Sequence, residues 1–278
     1  MPTFDTPGPI SVVLEFDIGA ARVVASKRAD TVVEVLPRDG AEEHDVRTAR
    51  QTKVSYAGGK LTVKGPRNRS LFTRSGALDI SIELPAGSDL RASAPLGSFT
   101  TEGPLGDCAV KTSVGDIQVD EAGAAQLRNA RGDIRLGRAS GDADVSGSGR
   151  VDIGGIGGAA TVKNTNGETA IEEVAGELRV NASNGRISVG TARAGVEAKS
   201  AHGAIRLGEV VRGQVVLQTA LGDVEVGIHE TTAAWLDVST RLGAVRNSLG
   251  PSEGPGDAEH TVEVRVRTGL GDIVVHRA

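Results

Sequence analysis

Five histidines, His44, His202, His229, His260 and His276, are the residues best suited to metal or proton chemistry. No two of them stand at the two- or four-residue spacing that lets a pair of imidazoles share one ion. The single cysteine, Cys108, offers neither a CxxC ligand pair nor an internal disulfide. A Gly-x-Ser-x-Gly nucleophile turn is absent. Gly155-Ile156-Gly157-Gly158-Ala159-Ala160 has the spacing of a dinucleotide-binding turn, but it lies on a repeat corner with no helix behind it. The densest carboxylate group is Asp142, Asp144 and Asp152. Polysaccharide cleavage needs paired acids on one wet face and rings against which sugars stack, and Trp235 is the only ring of the later repeats. No enzyme, metal or cofactor is implied.

Charge is more informative. Lys111, Arg128, Lys163, Lys199 and Arg267 recur at one position of a repeat, with Asn181, Gln218 and Ser239 interleaved. Asp116, Asp133, Glu168, Asp223 and Asp272 recur five residues later. Stacked on successive coils, these become a basic and an acidic row flanking one corner. The rows either screen one another or let the five basic residues form a binding surface. A second basic group, Arg67, Arg69 and Arg74 around Phe72, reads as a loop.

Glycines set the register in which these side chains line up. One series runs Gly97, Gly115, Gly132, Gly149, Gly167, Gly185, Gly203, Gly222, Gly243 and Gly271, at spacings of 18, 17, 17, 18, 18, 18, 19, 21 and 28. A second series, Gly106, Gly123, Gly141, Gly158, Gly176, Gly195 and Gly213, falls between its members. Each coil of about 18 residues thus holds two turns and two strands. Two residues after the first-series glycines stand Ile117, Ile134, Val151, Thr169, Ile187, Ile205, Val224, Val245 and Ile273. Polar residues such as Gln118, Arg135, Asp152 and Arg206 follow each of these, which is the period of a strand with one dry face. Three residues before the glycines, Thr112, Asn129, Asn164, Ser200, Thr219, Thr240 and Thr268 face inward by parity and predict a hydrogen-bonded ladder at the corner. Hexapeptide helices fail, because six-residue steps from Ile117 land on Gly123 and Asn129. Calcium rolls fail for want of GGxGxD. The chain is therefore expected to be all-β, a right-handed parallel β-solenoid with two strands per coil over 96–278.

Residues 1–95 lack that register. Strands are expected over Ile10–Phe16, Thr31–Leu36, Thr52–Tyr56, Lys60–Lys64 and Leu78–Leu84, with a short exposed helix over Ala41–Arg50, together an irregular β cap. Residues 250–257, rich in Pro and Gly, form a loop ahead of the last coil. That last coil is expected to leave an open edge at which Val274 faces outward, predicting a homodimer through the C-terminal coil.

In this order, Asp30-Thr31-Val32-Val33-Glu34-Val35, Leu84-Pro85-Ala86-Gly87-Ser88 and the Gly-Asp-Ile turns at 115–117, 132–134 and 271–273 resemble the putative-adhesin family of bacterial β-strand-repeat proteins, a domain of unknown function. The resemblance covers nearly the whole chain. It implies a parallel solenoid with no catalytic residues, and in some members a part in envelope stress or surface contact.

A net charge of −5 argues against a general nucleic-acid binder. The N-terminus has neither a basic nor an apolar signal region, no stretch is apolar enough to span a bilayer, and one cysteine suits a reducing compartment, so the cytoplasm is expected. The function expected is a non-enzymatic binding or scaffold module. Its partner is a macromolecule, a protein or another copy of itself. Self-assembly through an open coil end and a carbohydrate-active enzyme are the alternatives.

Overall fold

The computed structural model describes residues 1–66, 76–250, 254, 256 and 258–278. The chain is a parallel β-solenoid that divides into two compact units, Met1–Ser140 and Gly141–Ala278.

The first unit contains β1 (Thr3–Asp5), β2 (Ser11–Glu15), β3 (Ile18–Ser26), β4 (Asp30–Pro37), α1 (Glu43–Gln51), β5 (Lys53–Ala57), β6 (Lys60–Lys64), β7 (Ala77–Pro85), β8 (Asp89–Pro104), β9 (Cys108–Val114), β10 (Ile117–Ala122), β11 (Ala125–Arg131) and β12 (Ile134–Ala139). β8 runs unbroken through residue 95 and serves two sheets. Its first half pairs with β2 and β9, its second with β3 and β10, all parallel. Outside β2 and β3 lie β6 and β7, also parallel. Antiparallel strands then finish both sheets, β5 on β6, and β4 on β7 with the three-residue β1 beyond it. A reversed or very short strand blunts an edge that would otherwise template another parallel coil. Inside, Phe16 and Phe99 tilt against each other with centroids 5.4 Å apart. The helix expected near 41–50 is α1, and it buries no residue. Asp45 and Thr48 on α1 accept the N–H groups of Ala77 and Gly76 and hold it to the start of β7.

The second unit contains β13 (Ala143–Gly147), β14 (Val151–Ile156), β15 (Ala160–Asn166), β16 (Thr169–Val174), β17 (Leu178–Asn184), β18 (Ile187–Ala192), β19 (Val196–His202), β20 (Ile205–Val210), β21 (Gly213–Leu221), β22 (Val224–Ile228), β23 (Thr232–Leu242), β24 (Val245–Asn247), β25 (His260–Leu270) and β26 (Ile273–Arg277). Odd-numbered strands stack in one parallel sheet and even-numbered strands in the other. Below the edge rung, the expected apolar registers are the core. Ile187 lies directly against Thr169 and Ile205, Val189 against Ile171 and Leu207, and all are buried. Each fully buried Ile, Leu or Val contributes about 1.5–3 kcal/mol.

The corner glycines have a steric cause. Gly203 sits at φ +152°, and a Cβ built there would stand 2.0 Å from the carbonyl oxygen of Gly185 in the coil beneath. Side chains cannot occupy that column, so glycine recurs on every turn of it.

The coil order departs from the sequence expectation. β25 lies between β21 and β23, and β26 lies between β22 and β24. The C-terminal coil is therefore an inner rung, and the coil of β23 and β24, 232–247, stands at the edge. Val274 stands between Glu225 and Arg246 of its neighbours. This removes the geometric premise for a homodimer through the C-terminal coil. The long glycine spacings of 21 and 28 residues are the reason. The first carries the chain past an empty slot, and the second carries it back to fill that slot.

Candidate interaction surface

Three members of the acidic row are structural. Asp116 accepts the N–H of Asp133 at 2.9 Å, Asp223 that of Asp272 at 2.8 Å, and Asp272 that of Ala244 at 2.8 Å. Each carboxylate thus staples its coil to the next by a charge-assisted bond. At the opposite corner Asp89 and Asp142 do the same for Asp107 and Ala159. Most of the inward polar ladder is also spoken for, the exceptions being the buried hydroxyl of Ser200 and the Oδ1 of Asn164, which have no hydrogen-bond partner among the described residues. Thr219 donates to the carbonyl of Gly203 at 3.0 Å, Thr268 to that of Gly222 at 3.0 Å, Asn164 to that of Gly149 at 2.9 Å and, in the first unit, Asn129 to that of Gly115 at 3.4 Å.

The residues singled out for chemistry do not converge. Asp142 is committed to its corner and Asp152 pairs with Arg150 at 2.9 Å. His229 approaches Glu209 at 3.7 Å and His276 approaches Glu225 at 3.2 Å, each on its own. Among the described residues, no group of three or more His, Cys, Asp or Glu side chains is placed to hold a metal ion. Cys108 is buried, and burial pushes its thiol pKa up to about 12. Among the described residues no helix is long and apolar enough to cross a membrane. Arg67, Arg69, Arg74 and Phe72 lie outside the described residues, as do 251–253, 255 and 257 of the expected loop.

All five basic residues point outward and are exposed. In the first unit Lys111 on β9 and Arg128 on β11 are direct neighbours. Lys111 also borders a groove of about 490 Å³ with Glu15, Phe16 and Asp17. In the second unit Lys163, Lys199 and Arg267 occupy alternate rungs, with Asn181 and Gln218 between them and Ser239 on the edge rung. Lys199 is bonded to Glu197 at 2.6 Å, and Arg267 to the carboxylate of Asp237 at 2.6 Å and to its carbonyl at 2.8 Å. Hydrogen bonds from Lys199 and Arg267 hold the carboxyls of Glu197 and Asp237 below the usual carboxylate range. This face carries alternating charge. It includes a shallow groove of about 480 Å³ lined by Lys199, Gln218, Arg241 and Arg267.

Along the corner of the same face runs an apolar row. Leu221, Leu270 and Leu242 are neighbours on three successive rungs and are 45%, 47% and 62% exposed. Trp235, 57% exposed, stands at the other end of β23. The row was absent from the sequence reading, although its signal is visible there. In the second unit the residue before the corner glycine is Asn166, Asn184 and His202 on earlier coils and leucine at 221, 242 and 270, and in the first unit Leu96 and Val114 hold the same position and are also exposed.

Solved structures similar to this chain include a putative adhesin from Bacteroides fragilis, at 12% identity over 99% of this chain and 95% of that one with a TM-score of 0.39. A putative adhesin from Parabacteroides merdae is 9% identical over 100% and 95%, with a TM-score of 0.35. A putative cell adhesion protein from Clostridium sporogenes is 10% identical over 100% and 98%, with a TM-score of 0.24. No curated protein matches the chain significantly. The sequence matches the family described as Toastrack DUF4097 over residues 23–276, nearly its whole length. The chain belongs to the Toastrack DUF4097 family.

Proposed function

We propose that the protein is a non-enzymatic binding or scaffold module that docks a protein partner on the outward face of β15, β17, β19, β21 and β25. One observation carries this reading. Strict register on five consecutive rungs aligns Lys163, Lys199 and Arg267 on a flat face, with leucines along its corner. Flat, mixed-charge faces with an apolar margin match protein surfaces, where charge sets orientation and buried apolar area supplies affinity. A polyanion suits this face less well, because Lys199 and Arg267 already hold carboxylates and have little to gain by releasing counterions. Catalysis by Asp142 and Asp152 is disfavoured by their commitment to a corner N–H and to Arg150. The reading includes a reducing compartment, the cytoplasm, on the strength of the one unpaired, buried thiol.

The test is affinity capture from the native host by wild type and by Lys163→Glu/Lys199→Glu at matched melting temperature. Loss of a wild-type partner in the variant is expected. Identical captured sets would overturn the reading.

A further inference from the structure

The edge rung is built differently from every rung beneath it in the second unit. β23 and β24 each pair with one strand only, β25 and β26. Their inward side chains have no coil above them. Val245 is 43% exposed, whereas its neighbour Ile273 is fully buried, and Leu236 and Val238 are half-buried where Val264 and Val266 beneath them are fully so. The apolar interior of the solenoid opens here, beside Leu242 and Leu270. β23 is eleven residues long and contains no proline or lysine; Asp237 and Arg241 are its only charges, and Leu249, Gly250, Gly254 and Ala258 border its first residues, away from Val238 and Thr240.

Two observations specify what covers it. The first is where the free backbone groups point. The carbonyl of Thr231 accepts the N–H of Glu259, and the carbonyl of Asp237 accepts the guanidinium of Arg267. As far as Thr240, odd-numbered residues therefore turn their backbone toward β25 and strand alternation turns those of Leu236, Val238 and Thr240 to the open side; beyond it the alternation shifts, the register passing over Arg241 and the carbonyl of Leu242 accepting the N–H of Gly271. The second is the charge pattern. The outward side chains run Asp237, Ser239, Arg241, acid, neutral and base, so the strand complements its own reverse.

We infer that the coil 232–247 is a self-association surface, at which β23 pairs antiparallel with β23 of a second copy across a two-fold axis at Ser239. In that register Val238 and Thr240 of opposite copies exchange N–H···O=C bonds, using the backbone groups that face the edge. Asp237 of each copy then lies across from Arg241 of the other on the outward face, where opposed charges attract. Inward residues remain inward, so the two open interiors close on each other. The contact is isologous and stops at two copies.

The experiment is sedimentation of the full chain together with the fluorescence of its single tryptophan, Trp235, which lies on the same strand. Wild type is expected to dimerise at tens of micromolar or below, with a shift in Trp235 emission on dilution. Arg241→Asp places acid against acid and weakens association about tenfold or more, and Asp237→Arg/Arg241→Asp restores the complementarity and the dimer. Melting curves on each variant establish that it is folded. A wild type still monomeric at ~100 μM, well above the concentration at which the dimer is expected, would overturn the proposal, as would an Arg241→Asp variant that associates like wild type or a folded double variant that does not regain association.

Discussion

The hydroxyl of Thr240 donates to the carbonyl of Gly271 at 2.9 Å, although Gly271 comes later in the chain. Elsewhere in the second unit the corner ladder runs the other way, Thr219 to Gly203 and Thr268 to Gly222. The reversal is the local signature of a coil that has been overtaken.

Cross-linking tests that order. Arg267 lies directly between Gln218 and Ser239. Adjacent rungs are about 4.8 Å apart, inside the range a disulfide bridges, and alternate rungs are about 9.6 Å apart, outside it. Arg267→Cys should therefore oxidise with either Gln218→Cys or Ser239→Cys, whereas Gln218→Cys with Ser239→Cys should stay reduced. Mass spectrometry under mild oxidation reads the result. A bridge in the last pair alone would restore the sequential order.

The inward register is tested by one neighbouring pair. Ile187 is fully buried against Thr169 and Ile205, while Arg186 is exposed. Ile187→Asp buries a charge without a partner and should cost about 4 kcal/mol or more, while Arg186→Asp should change stability by about 0.5 kcal/mol or less. Urea midpoints compare them, and equal losses would show the register to be displaced by one.

Glycine at the corner is a steric requirement, which two alanine substitutions separate. Gly203→Ala would press its methyl into the carbonyl of Gly185 at a positive φ and should cost about 3 kcal/mol or more. Gly40→Ala meets nothing within 4 Å and has no unusual φ, so it should be neutral or slightly stabilising. Thermal melting decides the matter, and a tolerated Gly203→Ala would show that the column can open.

Cys108 gives a pH prediction. Burial raises its folded-state pKa from an ordinary 9.0 to about 12. The unfolded thiol ionises first, so the contribution of this group is complete below about pH 9 and fades as pH rises toward 12. At pH 8 its alkylation should be slow and should follow unfolding. Rapid labelling of the native protein would mean that the thiol is accessible.

Much of this architecture could be read from the residues. Ile187 over Ile205 follows from glycine spacing and parity, because a stacked coil leaves a branched side chain one place to go. The corner ladder was legible for the same reason, as Asn129 and Thr219 recur at an inward position that only a backbone partner can satisfy. The order of the last coils was not. Local pattern identifies a rung without numbering it, and the 28-residue gap before Gly271 fits a loop leading forward as well as one leading back. The interleaving of β2 and β3 between β8 and the later β6 and β7 escaped for the same reason. At the candidate surface, outward position was legible for all five basic residues. The pair of Lys199 with Glu197 lies within one strand, but that of Arg267 with Asp237 depends on which rungs touch, and sequence spacing does not give that.

The overtaken coil also has a consequence in time. Residues 232–247 leave the ribosome before residues 260–277, yet the strands they pair with are β25 and β26. On the earlier rungs of the second unit each new coil finds its template already laid down, and growth proceeds one layer at a time. Here β23 and β24 emerge before the strands they finally pair with, β25 and β26, have been made. Their native pairing can form only once the following segment occupies the slot beside β21 and β22. The last two layers then assemble together, so a process that could have been wholly sequential ends in a concerted closure.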